Sequence, residues 1–127
     1  MKNVTICVDF DGTVVTHEFP KVGEDIGAYP ILRKLQKAGH QIILWTMRSG
    51  EELCNAAEHM EDNGIKLYGI NKNPTQTEWT QSPKVYGQLY IDDAALGCPL
   101  ITKEGVSRPF VDWVAVDKML EGRGYYV

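Results

Sequence analysis

Apolar and polar positions fall in blocks along this chain, and the blocks change period. Val4 to Val8 is nearly continuous in apolar and β-branched residues, as expected of a central strand covered on both faces. Residues 14–28 hold His17, Phe19, Pro20, Gly23 and Gly27 without periodicity, which predicts a flap-like loop or small hairpin. From Pro30 the period becomes helical: Ile31, Leu32, Leu35 and Ala38 share a face, Arg33, Lys34 and Lys37 lie off it, and Gly39 stops it. The pattern predicts a helix over about 29–38.

Gln41 to Thr46 reads as a second buried strand, and residues 50–63 as a second helix. Ser49 and Glu52 have capping-box spacing at its start, and Asn63-Gly64 closes it. Lys66 to Ile70 predicts a short third strand. Residues 71–83, with Pro74 and Pro83, form a polar loop long enough to be functional. Gly87 to Ile91 reads as a fourth strand and Pro99 to Thr102 as a fifth. Pro109 is expected to open a last helix whose Phe110, Trp113, Val114, Met119 and Leu120 cover the sheet. Strands alternating with helices predict a single three-layer, doubly wound α/β domain over residues 1–127, with a five-stranded, mainly parallel sheet. Ligands of such folds collect beyond the carboxyl ends of the strands.

The polar residues interrupt the strands at those ends. The first strand finishes in Asp9, with Asp11, Gly12 and Thr13 beyond it, the second in Thr46, and the fourth in Asp92-Asp93. Parallel strands bring these ends to one rim. Two carboxylates about 4 Å apart at an effective dielectric of 20 repel by roughly 4 kcal/mol, which a marginally stable domain does not carry without compensation. A cation is implied. With carboxylates and no His or Cys in the pattern, Mg²⁺ is the expected ion, and it commonly brings a phosphate with it.

Composition narrows the classes. The formal net charge of −4 makes nucleic acid an unlikely partner, since it argues against a broad basic surface. Cys7, Cys54 and Cys98 are far apart and odd in number, which suggests neither a disulfide framework nor a zinc site. The start of the chain lacks a signal-peptide pattern and the apolar runs are too short to span a bilayer. A cytoplasmic protein without a membrane partner is expected.

Asp9-Phe10-Asp11-Gly12-Thr13, then Thr46, Lys84 and Asp92-Asp93, in this order over nearly the whole chain, resemble the motifs of the haloacid dehalogenase (HAD) superfamily of phosphohydrolases. The resemblance implies that fold and a Mg²⁺-dependent phosphatase. Asp9 would be the nucleophile that forms an aspartyl phosphate, and Asp11 the acid and base. The carboxylates of Asp9 and Asp92 and the backbone carbonyl of Asp11 would hold the metal, with Asp93 binding metal waters or orienting Lys84. Thr46 and Lys84 would contact the phosphoryl group. Lys84 precedes Asp92 closely, so Lys72 stays as the alternative motif lysine. A carboxylate at Asp11 favours phosphoryl transfer over dehalogenation.

Gly12 and Thr13 are expected to turn the chain so that both carboxylates face metal and phosphate, and to contact the phosphate themselves. Arg48 is the favoured further contact to a phosphorylated substrate. His17 reads more simply as a solvated loop residue and Trp45 as core. The intervals between the motifs leave no room for a large cap domain, so the site is expected to be open. Either the substrate is a macromolecular phosphate, or it is a small metabolite or sugar phosphate and a homo-oligomer covers the rim; the small substrate is slightly favoured. The alternatives are a receiver-like phosphoryl acceptor, which would place its acidic pair first and its accepting Asp later, and a non-catalytic interaction domain.

Overall fold

The structure of the chain is a computed structural model that describes residues 2–127. Four parallel strands, β1 (Thr5–Val8), β2 (Gln41–Leu44), β3 (Leu67–Ile70) and β4 (Leu89–Ile91), form one sheet in the order β3-β2-β1-β4. The helices are α1 (Ala28–Lys37), α2 (Gly50–Asp62) and α3 (Trp113–Gly122). β1 is buried along its whole length at the centre, as its unbroken apolar run requires.

The fifth strand departs from expectation. β5 (Leu100–Ile101) does not join the parallel sheet but pairs antiparallel with β6 (Phe110–Val111), so the main sheet has four strands and a separate two-stranded ribbon stands beside it. Pro109 therefore introduces a strand rather than a helix. α3 starts after Asp112, whose Oδ1 accepts from the Ala115 N–H at 3.2 Å. Val114 and Met119 are exposed on α3, and Trp113, Val116 and Leu120 make the buried face.

The layering also differs from the three-layer expectation. Ile6, Val8, Ile42 and Leu44 face one way, and the buried residues of all three helices pack into the cluster they begin. Cys7 and Ile43 face the other way, where Val85, Trp45, Tyr68 and Tyr90 gather around them without a helix. That side is covered by the segment after β3, which contains a single 3-10 turn, Gln76–Glu78. The segment is held from within: Gln76 bonds the carbonyls of Ser82 and Lys84 and the N–H of Tyr86. Gly87 lies against β1 so closely that a Cβ there would meet Cys7 Sγ at 2.8 Å.

Two local expectations are refined. Ser49 caps α2 by position, but its side chain makes no cap hydrogen bond, so the capping box does not form. The 14–28 flap is a small looped hairpin in which Val15 bridges Asp25, Thr16 N–H donates to Glu24 O, and Thr16 Oγ1 accepts from Glu24 N–H. Val14, Val15 and Thr16 anchor it in the interior. Among the described residues, no helix is long and apolar enough to cross a membrane.

Candidate active site

The register of the sheet brings the acidic residues together. Val8 pairs with Ile91 and Leu44, so Asp9 and Asp92 leave adjacent strands at the same level, with Trp45-Thr46 on the far side of β1. Asp9 N–H donates to Ile91 O at 3.0 Å, which carries the ladder one step past β1. Asp9, Asp92 and Asp93 each offer a carboxylate oxygen, all within 4.8 Å of one another.

Phe10 to Thr13 then turn sharply, with Thr13 and Val14 N–H both donating to Phe10 O. Gly12 sits at φ 81° and leaves no space for a side chain: a Cβ there would lie 1.9 Å from His17 Nε2 and 2.6 Å from Asp93 Oδ2. Its N–H donates to Val15 O and its carbonyl accepts from Val111 N–H, so the turn is bolted to both the flap and the β5-β6 ribbon. Thr13 is fully buried, and its hydroxyl donates to Asp9 Oδ2 at 2.8 Å while accepting from Asp93 N–H at 3.0 Å. One hydroxyl thereby ties the end of β1 to the end of β4. The Trp113 indole N–H fixes the same residue by donating to Thr13 O at 2.6 Å.

The crowding has an electrostatic consequence. Burial, with the Asp92 and Asp93 carboxylates beside it, pushes the Asp9 pKa up to about 8 against the lowering effect of the Thr13 hydroxyl. Asp92 is raised as well, by burial and the neighbouring Asp93, although its Oδ1 accepts from Ala94 N–H. A hard divalent cation relieves both effects at once. The all-oxygen donor set suits a hard cation such as Mg²⁺, and Asp9, Asp92 and Asp93 are the residues that could hold it.

Other expected site residues are placed differently. The metal role expected of Asp11 is that of its backbone carbonyl, and its carboxylate is engaged away from the trio: Arg48 Nε donates to its Oδ2 at 2.8 Å and an Arg48 terminal nitrogen to its Oδ1 at 2.7 Å. Arg48 is buried, and its remaining N–H groups go to the carbonyls of Pro20, Lys21 and Glu52. It is a positioning residue occupied by protein, not a free phosphate contact. The same correction applies to Gly12 and Thr13, whose buried donors are already engaged within the chain. Thr46 lies at the expected rim, its N–H bonded to Asn71 Oδ1 and its Oγ1 accepting from Arg48 N–H, which leaves the hydroxyl hydrogen free to donate.

Neither candidate lysine lines the acidic cleft. Lys84 is exposed in the segment that covers the helix-free side, its Nζ 5.6 Å from the centre of the Tyr90 ring of β4, and Lys72 lines a separate hollow with Asn73 and Thr77. The cleft itself has a volume of about 450 Å³. Asp9, Asp92, Asp93 and Thr46 line it together with His17, Phe19, Met47 and Arg108. His17 is largely covered, its Nε2 2.8 Å from Asp93 Oδ2, rather than a solvated loop residue. Arg108 carried no motif by which the sequence could single it out.

No family model matches the chain, and no curated protein matches it. A solved structure does: one described as the "Structure of the conserved protein coded by locus from Bacteroides thetaiotaomicron" is 34% identical, with a TM-score of 0.76. The match covers 96% of this chain and 93% of that one. The chain belongs to the same family as that conserved protein. The likeness spans both the sheet and the ribbon that carries Arg108, so the whole small domain is the shared unit.

Proposed function

We propose that this protein is a Mg²⁺-dependent phosphohydrolase of the HAD type that acts through an aspartyl phosphate on Asp9. The observation that carries this reading is the meeting of Asp9, Asp92 and Asp93 beyond the carboxyl ends of adjacent parallel strands, with Thr13 orienting one oxygen of Asp9. When bound there, Mg²⁺ supplies positive charge to the phosphoryl oxygens and lets Asp9 ionise beside its acidic neighbours. Thr13 holds Oδ2, so Oδ1 of Asp9 is the oxygen left to attack phosphorus.

In the first step the new Asp9 O–P bond forms as the ester P–O bond breaks. Asp11, having left the fork and taken a proton from solvent, gives that proton to the departing oxygen. In the second, Asp11 takes a proton from water as the water oxygen attacks phosphorus and releases Asp9. For both transfers one oxygen of Asp11 has to leave the Arg48 fork, so the fork is its resting position. Thr46 donates its free hydroxyl hydrogen to a phosphoryl oxygen. The cleft volume of about 450 Å³ matches a small phosphorylated metabolite or sugar phosphate better than a polymer. A second copy of the chain covering the open mouth, and a cytoplasmic setting that keeps Cys7, Cys54 and Cys98 reduced, accompany this reading.

The test is release of inorganic phosphate from p-nitrophenyl phosphate by the purified chain with Mg²⁺. Release should stop with a chelator and in Asp9→Asn and Asp11→Asn proteins that retain their circular dichroism. Metal-dependent turnover persisting in Asp9→Asn overturns the nucleophile.

A further inference from the structure

The basic side chains of the acidic cleft are not equivalent. Arg48 is buried and bonded to Asp11 and three carbonyls, and His17 faces Asp93. Arg108 is exposed at the cleft wall and forms no ion pair or side-chain hydrogen bond with any described residue. A guanidinium left without a partner beside a carboxylate trio is a ready fork for an incoming carboxylate or phosphate.

The backbone that carries it is tied to the site. Arg108 lies two residues before β6, whose Val111 N–H donates to Gly12 O at 3.0 Å, and Asp112 N–H closes the ribbon by donating to Pro99 O at 2.9 Å. The Gly12 turn thus sets the positions of both the carboxylates and the ribbon. Phe19 and Met47, 60% and 99% exposed, stand at the same cleft and give the body of a bound molecule an apolar wall. A phosphoryl group attacked by Asp9 has to lie within about 3–3.5 Å of its oxygen, on the floor of the cleft. Arg108 is exposed on the wall of the same cleft.

We infer that Arg108 is a specificity residue, and that the cleft takes a small phosphate monoester bearing a second anionic group, a carboxylate or another phosphate, which Arg108 binds at the mouth. The inference rests on the phosphohydrolase reading for what lies on the floor. An acidic protein whose cleft is walled by carboxylates otherwise repels such a polyanion, and Arg108 offsets that repulsion at one point.

Binding of non-hydrolysable phosphonates to the full chain with Mg²⁺, measured by calorimetry, tests it without requiring turnover. The probes are 3- and 4-carboxyphenylphosphonate, the corresponding phenylene bisphosphonates, and the neutral carboxamides of the same shape. An acidic probe should bind about tenfold more tightly than its carboxamide, as expected of a charge-assisted pair, and the better acid class identifies the second group. In Arg108→Gln the ratio should fall to near one, with carboxamide affinity unchanged, and Arg108→Lys should restore part of it. Equal affinities in the parent, a preference that survives Arg108→Gln, or no binding of any probe overturns the assignment. So does an equal loss for acid and carboxamide, which would put Arg108 on the scissile group. Discrimination by a chain that releases no phosphate from any ester overturns the hydrolase reading and leaves Arg108 as the anion-selecting residue.

Discussion

Arg48 holds Asp11 by two parallel bonds of 2.8 and 2.7 Å across a sequence separation of 37 residues. The same guanidinium stacks 5.1 Å from the Phe10 ring and 5.2 Å from the Phe19 ring, and it spans the flap, the Asp11 turn and the start of α2. One buried side chain therefore joins three segments.

Arg48→Met should unfold at markedly lower urea, with a loss of about 3 kcal/mol, because it leaves Asp11 and three carbonyls without their donor. Arg48→Lys should recover only a small part of this, since one ammonium cannot reproduce the fork. Equilibrium denaturation of both variants checks the ordering. Full recovery by lysine would mean that charge alone, rather than geometry, is what Asp11 needs.

Thr13→Val keeps the shape of the side chain and removes the hydroxyl that links Asp9 to Asp93. Stability should fall by about 1–3 kcal/mol, the usual consequence of leaving buried partners unpaired. Thr13→Ser should restore most of it. Under the proposed mechanism, phosphate release at saturating Mg²⁺ should fall in Thr13→Val through kcat, because Asp9 loses its orientation while the cleft wall is unchanged.

The chain announces what is local and conceals what is not. Asp9 to Thr13 and Asp92-Asp93 stand out because an apolar run that stops in carboxylates is visible within a few residues, and parallel pairing then brings those ends together. Arg48 reads in the sequence as a substrate contact, because its protein partner and its burial are set by a distant turn. Lys84 lies outside the cleft for a related reason. Its place before the fourth strand suggests a motif lysine despite the short spacing to Asp92, but the path of residues 71–88 over the helix-free face is fixed by Gln76 and by contact with Cys7, neither of which has a sequence signature. Pro109 signals a helix start as readily as a strand entry, and the two-residue β5 and β6 are too short for period to decide.

Asp9 should make the metal-free protein pH-sensitive. Its pKa is raised from 3.8 to about 8 on folding, so between those values the folded state holds a proton that the unfolded chain has released. Stability from this group is fully present below about pH 4 and is lost as pH rises through about 8, by on the order of a few kcal/mol. Thermal melts in chelator should show the difference between parent and Asp9→Asn growing across that window, with the parent the less stable at high pH. Mg²⁺ should raise the parent's Tm more at pH 8 than at pH 5, because at pH 5 the ion has to displace a proton. A flat difference between the two proteins would mean that the carboxylates do not interact as their spacing requires.

Lys84 separates motif spacing from geometry. Its ammonium lies near the Tyr90 ring and it lines the hollow beside Trp79 and Tyr86, outside the cleft that holds Asp9. Lys84→Ala should therefore leave Mg²⁺-dependent phosphate release within about twofold of the parent, and the loss of an exposed cation-π contact should change stability by less than about 1 kcal/mol. A catalytic lysine that neutralises the phosphoryl group would instead cost about a hundredfold or more in kcat when removed. A loss of that size in a folded Lys84→Ala protein would require the 71–88 segment to swing over the carboxyl ends of the strands when substrate binds. Protection of the backbone amides of that segment against hydrogen exchange, with and without a bound phosphonate and Mg²⁺, would detect that movement.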